Sequence, residues 1–193
     1  CSACFERQKP RLARPSHLGE PRQFNDLVAI DSIKWTNAQG QHFLFYHIID
    51  TGSNYHVAIP CEHRPNSETL SQLLIKNWIN WAGPPKMIIH DSAGEFCSEE
   101  FARFLQGYDI RSSTIPAEAH WQVGIVENAI KAVKHVMSAL AEEFKDMTTQ
   151  ELFSRALWAC NSRDNHMGYS PLQHATGRSP DEWGRLFESS QHH

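Results

Sequence analysis

Three apolar segments rich in branched side chains lie close together near the start of the chain, and they constrain the fold more than any other feature. They span residues 26–35, 41–50 and 54–61, with the turn signals NAQG and TGS between them. Segments of this length and composition, bounded by turn residues, are typical of β-strands. Because the connections are only a few residues long, consecutive strands must run antiparallel. We therefore expect a three-stranded antiparallel meander.

After the third strand, helices and strands alternate. Residues 66–83 have apolar side chains at helical spacing, with Ser67 as the expected N-cap and a stop at Gly83. The later elements are a strand at 86–91, a helix at 98–107 capped by Ser98, a strand at 110–116, a helix from about 123 to 144, and a helix at 148–165 capped by Thr148. Strands separated by helices need crossover connections. The sequence therefore predicts an α/β fold with a mixed sheet flanked by helices.

Composition is that of a soluble globular domain. The chain has 193 residues, of which 40% are hydrophobic and 21% charged. No stretch approaches the roughly 18 apolar residues of a membrane span, so we expect no membrane association. Residues 1–15 are polar and basic, unlike a signal peptide, and the initial Cys indicates a fragment. Three of the five cysteines are isolated, which favours a reducing, intracellular compartment.

Net charge alone argues mildly against a dedicated nucleic-acid binder, because the formal value is −4. The charge is unevenly distributed, however. Residues 6–22 are rich in arginine, and the long helix carries Lys131 and Lys134 on its early turns. A local basic face is therefore compatible with the acidic total, although such faces are often merely solvated.

Three acidic residues stand out by their positions relative to the strands. Asp31 lies inside the first strand, Asp91 ends the fourth strand, and Glu127 lies on the helix after the fifth. Taken singly, Asp91 could cap a turn and Glu127 could complement the helix dipole. Asp31 is harder to explain structurally, because acids are depleted within strands. If the first and fourth strands are neighbours, the three carboxylates converge, and oxygen ligands of this kind suit Mg²⁺ or Mn²⁺.

Several motifs resemble the catalytic core of retroviral and retrotransposon integrases, the DDE family. Thirty-five residues separate Asp91 from Glu127, as in the D,D-35-E pattern. The stretches HDSAGEF and QVGIVEN are similar to the family's Asp-Gly-Phe and Gly-x-x-Glu segments. GYSPLQHATGRSP (168–180) is similar to a stretch that follows the core in long-terminal-repeat retrotransposons. The resemblance covers residues 1 to about 180.

The resemblance implies an RNase H-like core with a five-stranded mixed sheet. It assigns Asp31, Asp91 and Glu127 as the catalytic residues and as ligands of two Mg²⁺ or Mn²⁺ ions. The implied activity is cleavage near the 3′ ends of element DNA, followed by joining of those ends to target DNA. Lys131 and Lys134 lie on the same helix face as Glu127. In similar integrases such residues contact donor DNA, whereas the alternative is two solvated surface lysines.

The resemblance also implies an organisation and a set of partners. Residues 1–20 correspond to the truncated end of a zinc-binding module plus linker, 21–165 to the catalytic core, and 166–193 to a C-terminal extension. Cys1 and Cys4 would supply two of four zinc ligands, so Zn²⁺ is expected only in the untruncated parent. DNA and a second copy of the chain are the implied partners. The implied locations are the nucleus and cytoplasmic virus-like particles of an element that encodes a Pol polyprotein.

Weaker candidates surround the proposed triad. Asp50 either neighbours the metals or caps the turn after the second strand, and the capping role is favoured. Glu95 is expected to support the loop after Asp91. Trp121 and Gln122 are expected in a loop that either covers the site or touches DNA bases, and the alternative for Trp121 is packing against the helix. Gly124 is expected to let the chain turn closely into that helix. The sequence departs from the family pattern in three ways: His90 precedes Asp91, the net charge is negative, and the zinc module is cut.

Two functions of different class remain open on the sequence. One is an active metal-dependent polynucleotidyl transferase. The other is a catalytically weak integrase-derived module that binds DNA or assembles with partners. Intact acids at all three positions favour the first. An RNase H or junction nuclease on the same fold is disfavoured because the acids of those enzymes are spaced differently.

Overall fold

The computed structural model of the chain describes residues 22–37, 40–91, 94–114, 120–163, 168–180 and 186–188. Its strands are β1 (Leu27–Thr36), β2 (His42–Asp50), β3 (His56–Cys61), β4 (Met87–His90), β5 (Arg111–Thr114), β6 (Arg178–Pro180) and β7 (Leu186–Glu188). Its helices are α1 (Ser67–Leu74), α2 (Asn80–Ala82), α3 (Glu99–Gly107), α4 (His120–Glu143), α5 (Thr149–Arg163) and α6 (Pro171–Thr176), with a π-helical segment (Ile75–Ile79) joining α1 to α2.

The main sheet has five strands in the order β3-β2-β1-β4-β5. The short turns make β1, β2 and β3 antiparallel, whereas the helical crossovers make β4 parallel to β1 and β5 parallel to β4. The mixed sheet expected from the sequence is therefore confirmed. The structure also makes β1 and β4 neighbours, which is the condition on which convergence of the acids depends.

Helices cover both faces of the sheet, and β1 supplies side chains to each face by strand alternation. Val28 and Ile30 pack on one side, against the fully buried Trp78 and the first residues of α3. Ile33 packs on the other side, against α4 and α5. There the rings of Phe45 and Phe153 stack with centroids 3.7 Å apart. Burying one such ring contributes about 1.5–3 kcal/mol, so these contacts fix α5 on the sheet.

The helix starts follow capping chemistry, with one correction. The cap of α1 is Asn66, not Ser67: Asn66 is extended and accepts a hydrogen bond from the Thr69 amide at 2.9 Å. Ser67 is the first helical residue and is buried. Asparagine and serine cap about equally well, so adjacent residues of these types leave the boundary ambiguous by one position. Ser98 caps α3 as predicted.

Thr148 caps α5 as predicted. Its hydroxyl accepts from the Glu151 amide at 3.3 Å, while the Glu151 carboxylate accepts from the Thr148 amide at 3.0 Å. The two contacts together make a capping box.

Helix α4 begins earlier than predicted, at His120 rather than about Val123. Gly124 consequently lies inside the helix instead of at its entry, and a Cβ there would meet no atom within 4 Å. The predicted close turn at Gly124 is therefore wrong. The side chains of Trp121 and Gln122 lie outside the part of the chain that can be described.

Asn25 ties together the starts of β1 and β4, a role that sequence patterns did not reveal. Its backbone is left-handed, with φ of 68°. Its side-chain amide donates to the carbonyl oxygens of Ala82 and Gly83 at 2.9 and 3.2 Å. Its Oδ1 accepts from the indole N–H of Trp78 at 2.9 Å. The Lys86 amide, just before β4, donates to the Asn25 carbonyl. The two central strands thus share one polar anchor.

Two expectations concern the environment of the chain. Within the described ranges, no helix combines the length and apolarity needed to cross a bilayer. Cys61, Cys97 and Cys160 are free thiols.

Candidate metal and nucleic-acid site

The ladder between β1 and β4 brings Asp31 and Asp91 together. Ile30 pairs with His90 at the end of this parallel ladder, and the two aspartates are the next residue on each chain. Ile30 and His90 pack toward α1 and α3. Because side chains alternate along a strand, Asp31 projects to the opposite face, toward α4. Asp91 lies beside it, one residue beyond the end of β4, and its negative charge acts on the Asp31 carboxyl.

Helix α4 carries Glu127 over the same face. Val126 and Val133 of this helix are buried, and Ile130 packs beside them at helical spacing. Glu127 immediately follows Val126, so it lies at the edge of the buried stripe and is 54% exposed at its side chain. The apolar contacts of α4 thus fix the height at which this carboxylate approaches the strands.

The negative charges of Asp91 and Glu127 act on the Asp31 carboxyl. The pKa of the Asp31 carboxyl is raised, first by burial and then by the negative charges of Asp91 and Glu127. A hydrogen bond from the Ser32 amide, at 2.6 Å, opposes this shift. The positive charge of Lys134 opposes it too. A half-buried carboxylate with two like-charged neighbours is a costly arrangement for a structural residue.

Two lysines partly balance these acids. Lys131 Nζ lies 3.1 Å from Glu127 Oε2, an ion pair between residues one helical turn apart. Lys134 is half-buried, and its charge reaches Asp31. Three negative charges therefore face two positive ones. The structure places both lysines that were predicted to contact DNA beside the carboxylates that were predicted to bind metal.

The side chains of Asp31, Asp91 and Glu127 have the chemistry to bind a divalent ion, but their present arrangement is not that of a metal site. No set of three histidine, cysteine or acidic residues within the described ranges is already arranged to hold a metal ion. Ser32 and Lys131 instead occupy oxygens of Asp31 and Glu127. However, a set of carboxylates in which Asp91 and Glu127 both repel Asp31 offers only oxygen donors, which suit Mg²⁺ or Mn²⁺, and such an ion would relieve the repulsion. The chemistry of the donor set therefore fits such ions, while Glu127 is paired with Lys131 in this arrangement.

Asp50 plays the capping role favoured on the sequence. It is buried, and its carboxylate accepts from the amide and hydroxyl of Ser53 at 2.6 and 2.7 Å. It also accepts from the amide of Asn25 at 2.9 Å. Burial raises the pKa of Asp50, and these hydrogen bonds lower it. The carboxylate is thus engaged in holding the turn after β2.

Glu95 supports the loop after Asp91, as expected. Its carboxylate accepts from the Tyr46 hydroxyl at 2.8 Å and lies 3.6 Å from Arg64. Its backbone carbonyl accepts from the Ser67 and Ser98 hydroxyls, each at 3.4 Å. The loop is therefore fastened to β2, to the start of α1 and to the start of α3.

A buried histidine pair lies next to the acids and was missed on the sequence. His47 pairs with Asp31 in the antiparallel ladder, so both side chains share one face. His47 Nε2 lies 3.0 Å from His56 Nδ1, and both rings are almost fully buried. Strand alternation predicts an inward-facing residue at position 47, and this was the available signal.

Comparison with protein families settles the relationship of the chain. The sequence profile of the integrase core domain matches residues 21–120, which are 100 of the 193 residues. The chain belongs to the integrase core domain family. The resemblance inferred from the three acids and their flanking motifs is thereby confirmed. Cys1 and Cys4 lie outside the described residues, and the division into three segments stays a prediction.

Solved structures share the fold of this integrase core. The HTLV-2 integrase catalytic core domain in complex with magnesium, in its trimeric form, matches with a TM-score of 0.66 and 22% identity, over 79% of this chain and 97% of that one. A simian T-cell lymphotropic virus intasome in complex with the PP2A regulatory subunit B56 gamma matches with a TM-score of 0.72 and 20% identity. This match covers 99% of the present chain and 67% of the viral one. The BIV integrase catalytic core domain matches with a TM-score of 0.65 and 17% identity, over 79% of this chain and 95% of that one.

These identities establish the RNase H-like fold, and no more than the fold. Among curated proteins, none has a sequence significantly similar to this chain.

Proposed function

We propose that this integrase core is a metal-dependent polynucleotidyl transferase and endonuclease, encoded in the Pol polyprotein of a retrotransposon. It would process the 3′ ends of element DNA and join them to target DNA. Membership of the integrase core domain family supports the reaction class. The observation that carries the proposal is the side-by-side placement of Asp31 and Asp91, with the charge of Glu127 acting on Asp31.

The two reactions are phosphoryl transfers of the same kind. In the first, the oxygen of a water molecule bonds to phosphorus near the 3′ end, and the P–O bond to the retained strand breaks, leaving a 3′-hydroxyl. In the second, that hydroxyl oxygen bonds to a phosphorus of target DNA, and the target's own 3′ oxygen leaves. Neither reaction needs a protein nucleophile, because positioning and charge neutralisation provide the catalysis.

Asp31, Asp91 and Glu127 would hold two Mg²⁺ or Mn²⁺ ions. Such ions, when bound, help to deprotonate the attacking hydroxyl and neutralise charge on the leaving oxygen. The strand ladder fixes Asp31 relative to Asp91, and the packing of α4 fixes Glu127 above them. The HTLV-2 integrase catalytic core domain was solved in complex with magnesium, which supports the same choice of ion here.

Lys131 and Lys134 would bind DNA phosphates leaving the site. They lie four and seven residues beyond Glu127, on one side of α4. The side chain of Lys131 is 70% exposed. It can therefore leave Glu127 and bind a DNA phosphate without any rearrangement of the core. Phosphate contacts of this kind position DNA and do not select its sequence.

Other partners follow from the same proposal. A second copy of the chain is proposed as a partner, because the HTLV-2 core was solved in dimeric and trimeric forms and the simian virus protein in an intasome. Residence in the nucleus and in cytoplasmic virus-like particles would accompany DNA integration. A zinc site that uses Cys1 and Cys4 is proposed only for a longer parent chain.

A strand-nicking assay on labelled duplex DNA, with Mn²⁺ and with chelator, tests the proposal. We expect metal-dependent nicking by the unaltered chain and a loss of about 10²-fold or more in Asp31→Asn and Glu127→Gln. Glu143→Gln is the matched control, since Glu143 is an exposed acid at the far end of the same helix. Equal activity in Glu127→Gln and Glu143→Gln would refute the catalytic assignment.

The second candidate is a DNA-binding or assembly module without catalysis. The ion pair between Lys131 and Glu127 favours it, because that pair occupies the helix carboxylate. DNA binding without metal-dependent nicking, even when the rest of the polyprotein is supplied, would establish this candidate over the first.

A further inference from the structure

His90 is an unusual residue to find buried at the end of β4. Its ring is only 2% exposed and stacks on Phe96, with centroids 5.2 Å apart and planes 19° apart. Phe101 meets the same ring edge-on at 6.3 Å. A phenylalanine could make these contacts without burying two polar nitrogens. The imidazole nitrogens must therefore be accounted for separately.

Both ring nitrogens have hydrogen-bond partners, one on Asp91 and the other on β5. Nδ1 lies 2.7 Å from the backbone carbonyl oxygen of Asp91, and Nε2 lies 2.8 Å from the Ser112 hydroxyl. A carbonyl oxygen only accepts, so Nδ1 carries a hydrogen and donates it. In the neutral ring, Nε2 then accepts from the Ser112 hydroxyl, which selects this tautomer.

The hydrogen bond from His90 to the Asp91 carbonyl lies just beyond the last residue that is paired in the sheet. Ladder pairing ends at His90, opposite Ile30 and Thr114. Asp91 is the next residue, and its carbonyl oxygen turns with the ψ angle of Asp91 itself. A hydrogen bond to that oxygen therefore restrains the backbone that carries the Asp91 carboxylate.

We propose that His90 is a positioning residue for Asp91: its Nδ1–H holds the Asp91 carbonyl, and Ser112 holds the ring. This inference rests on the proposed function, in which Asp91 is a metal ligand. It concerns the metal-binding geometry and involves no proton transfer by His90. Groups that orient metal ligands commonly change metal affinity about 10–100-fold when they are removed.

Two substitutions at His90 separate positioning from packing. His90→Phe keeps an aromatic ring for Phe96 and removes the donor. His90→Asn removes the ring and places an amide N–H near the position of Nδ1. Ser112→Ala leaves the core unchanged and removes the hydroxyl partner of Nε2. Thermal unfolding of each variant gives the temperature below which it is folded, and binding is measured there.

Calorimetric titration of each chain with Mn²⁺ is the first readout. We expect affinity about tenfold weaker in His90→Phe, within about threefold of the unaltered chain in His90→Asn, and intermediate in Ser112→Ala. Unchanged affinity in His90→Phe would overturn the inference. Equal losses in the two His90 variants would overturn it too, since packing would then be responsible.

The backbone ¹³C′ resonance of Asp91 in the metal-free chain is the second readout, and it does not depend on the proposed function. We expect the chemical shift of this resonance to change in His90→Phe and to remain unchanged in His90→Asn. The reverse pattern would refute the contact. If the unaltered chain binds no Mn²⁺ while this resonance responds as expected, the proposed function fails and the contact stands. If the unaltered chain binds Mn²⁺ and His90→Phe changes neither readout, the inference alone fails.

Discussion

Replacing Asn25 with alanine should destabilise the fold more than any other single polar substitution considered for this chain, because three separate costs arise together. Alanine at φ of 68° costs about 1–2 kcal/mol of backbone strain. Losing the amide donor to the carbonyls after α2 costs about 1 kcal/mol. The buried indole N–H of Trp78 loses its acceptor, at about 1–3 kcal/mol. The sum is about 3–6 kcal/mol.

Urea unfolding of Asn25→Ala, Asn25→Gly and Asn54→Ala separates these costs. Glycine accepts the left-handed backbone, so Asn25→Gly should be about 1 kcal/mol less destabilised than Asn25→Ala. Asn54 shares the left-handed backbone, with φ of 60°, so its alanine variant should report strain of about 1–2 kcal/mol alone. A loss below about 1 kcal/mol in Asn25→Ala, with an unchanged denaturant slope, would refute the anchoring role.

Two further predictions concern pH. Burial and neighbouring charge raise the pKa of Asp31 above 3.8, so ionisation destabilises the metal-free fold as pH rises through that value. Asp31→Asn should therefore be more stable than the unaltered chain at pH 7 and should show no gain below pH 3.8, as measured by urea unfolding; a loss of stability at pH 7 would contradict this. Burial lowers the pKa of His56 from 6.5 to about 4, so stability should fall as pH drops between these values. The same titration of His56→Gln should show a shallower fall, and an equally steep one would exclude His56 as the cause.

The directions of the strands could be predicted because they rest on a strong local pattern. Short turns force antiparallel neighbours, and helical crossovers favour parallel strands. That β1 and β4 are neighbours was only a condition for the convergence of the acids, and the structure meets it. The same pattern cannot give the register itself, which depends on packing of both faces.

Other features depend on conformations that residue types alone do not determine. Asn25 lies in an ordinary polar stretch, and its left-handed backbone and four side-chain contacts follow from how α2 and β4 pack around it. Asn66 and Ser67 are both good caps, so only the backbone distinguishes them. The spacing of Glu127 and Lys131 is that of a helical ion pair. The structure shows this ion pair, and the predicted contact of Lys131 with DNA stays a prediction.

Anomalous diffraction from crystals grown with Mn²⁺ tests the central claim most directly. The account predicts an anomalous peak between the carboxylates of Asp31 and Asp91, with Glu127 turned from Lys131 toward it. Strong Mn²⁺ peaks elsewhere on the molecule, with these three side chains unchanged and no peak between them, would contradict it.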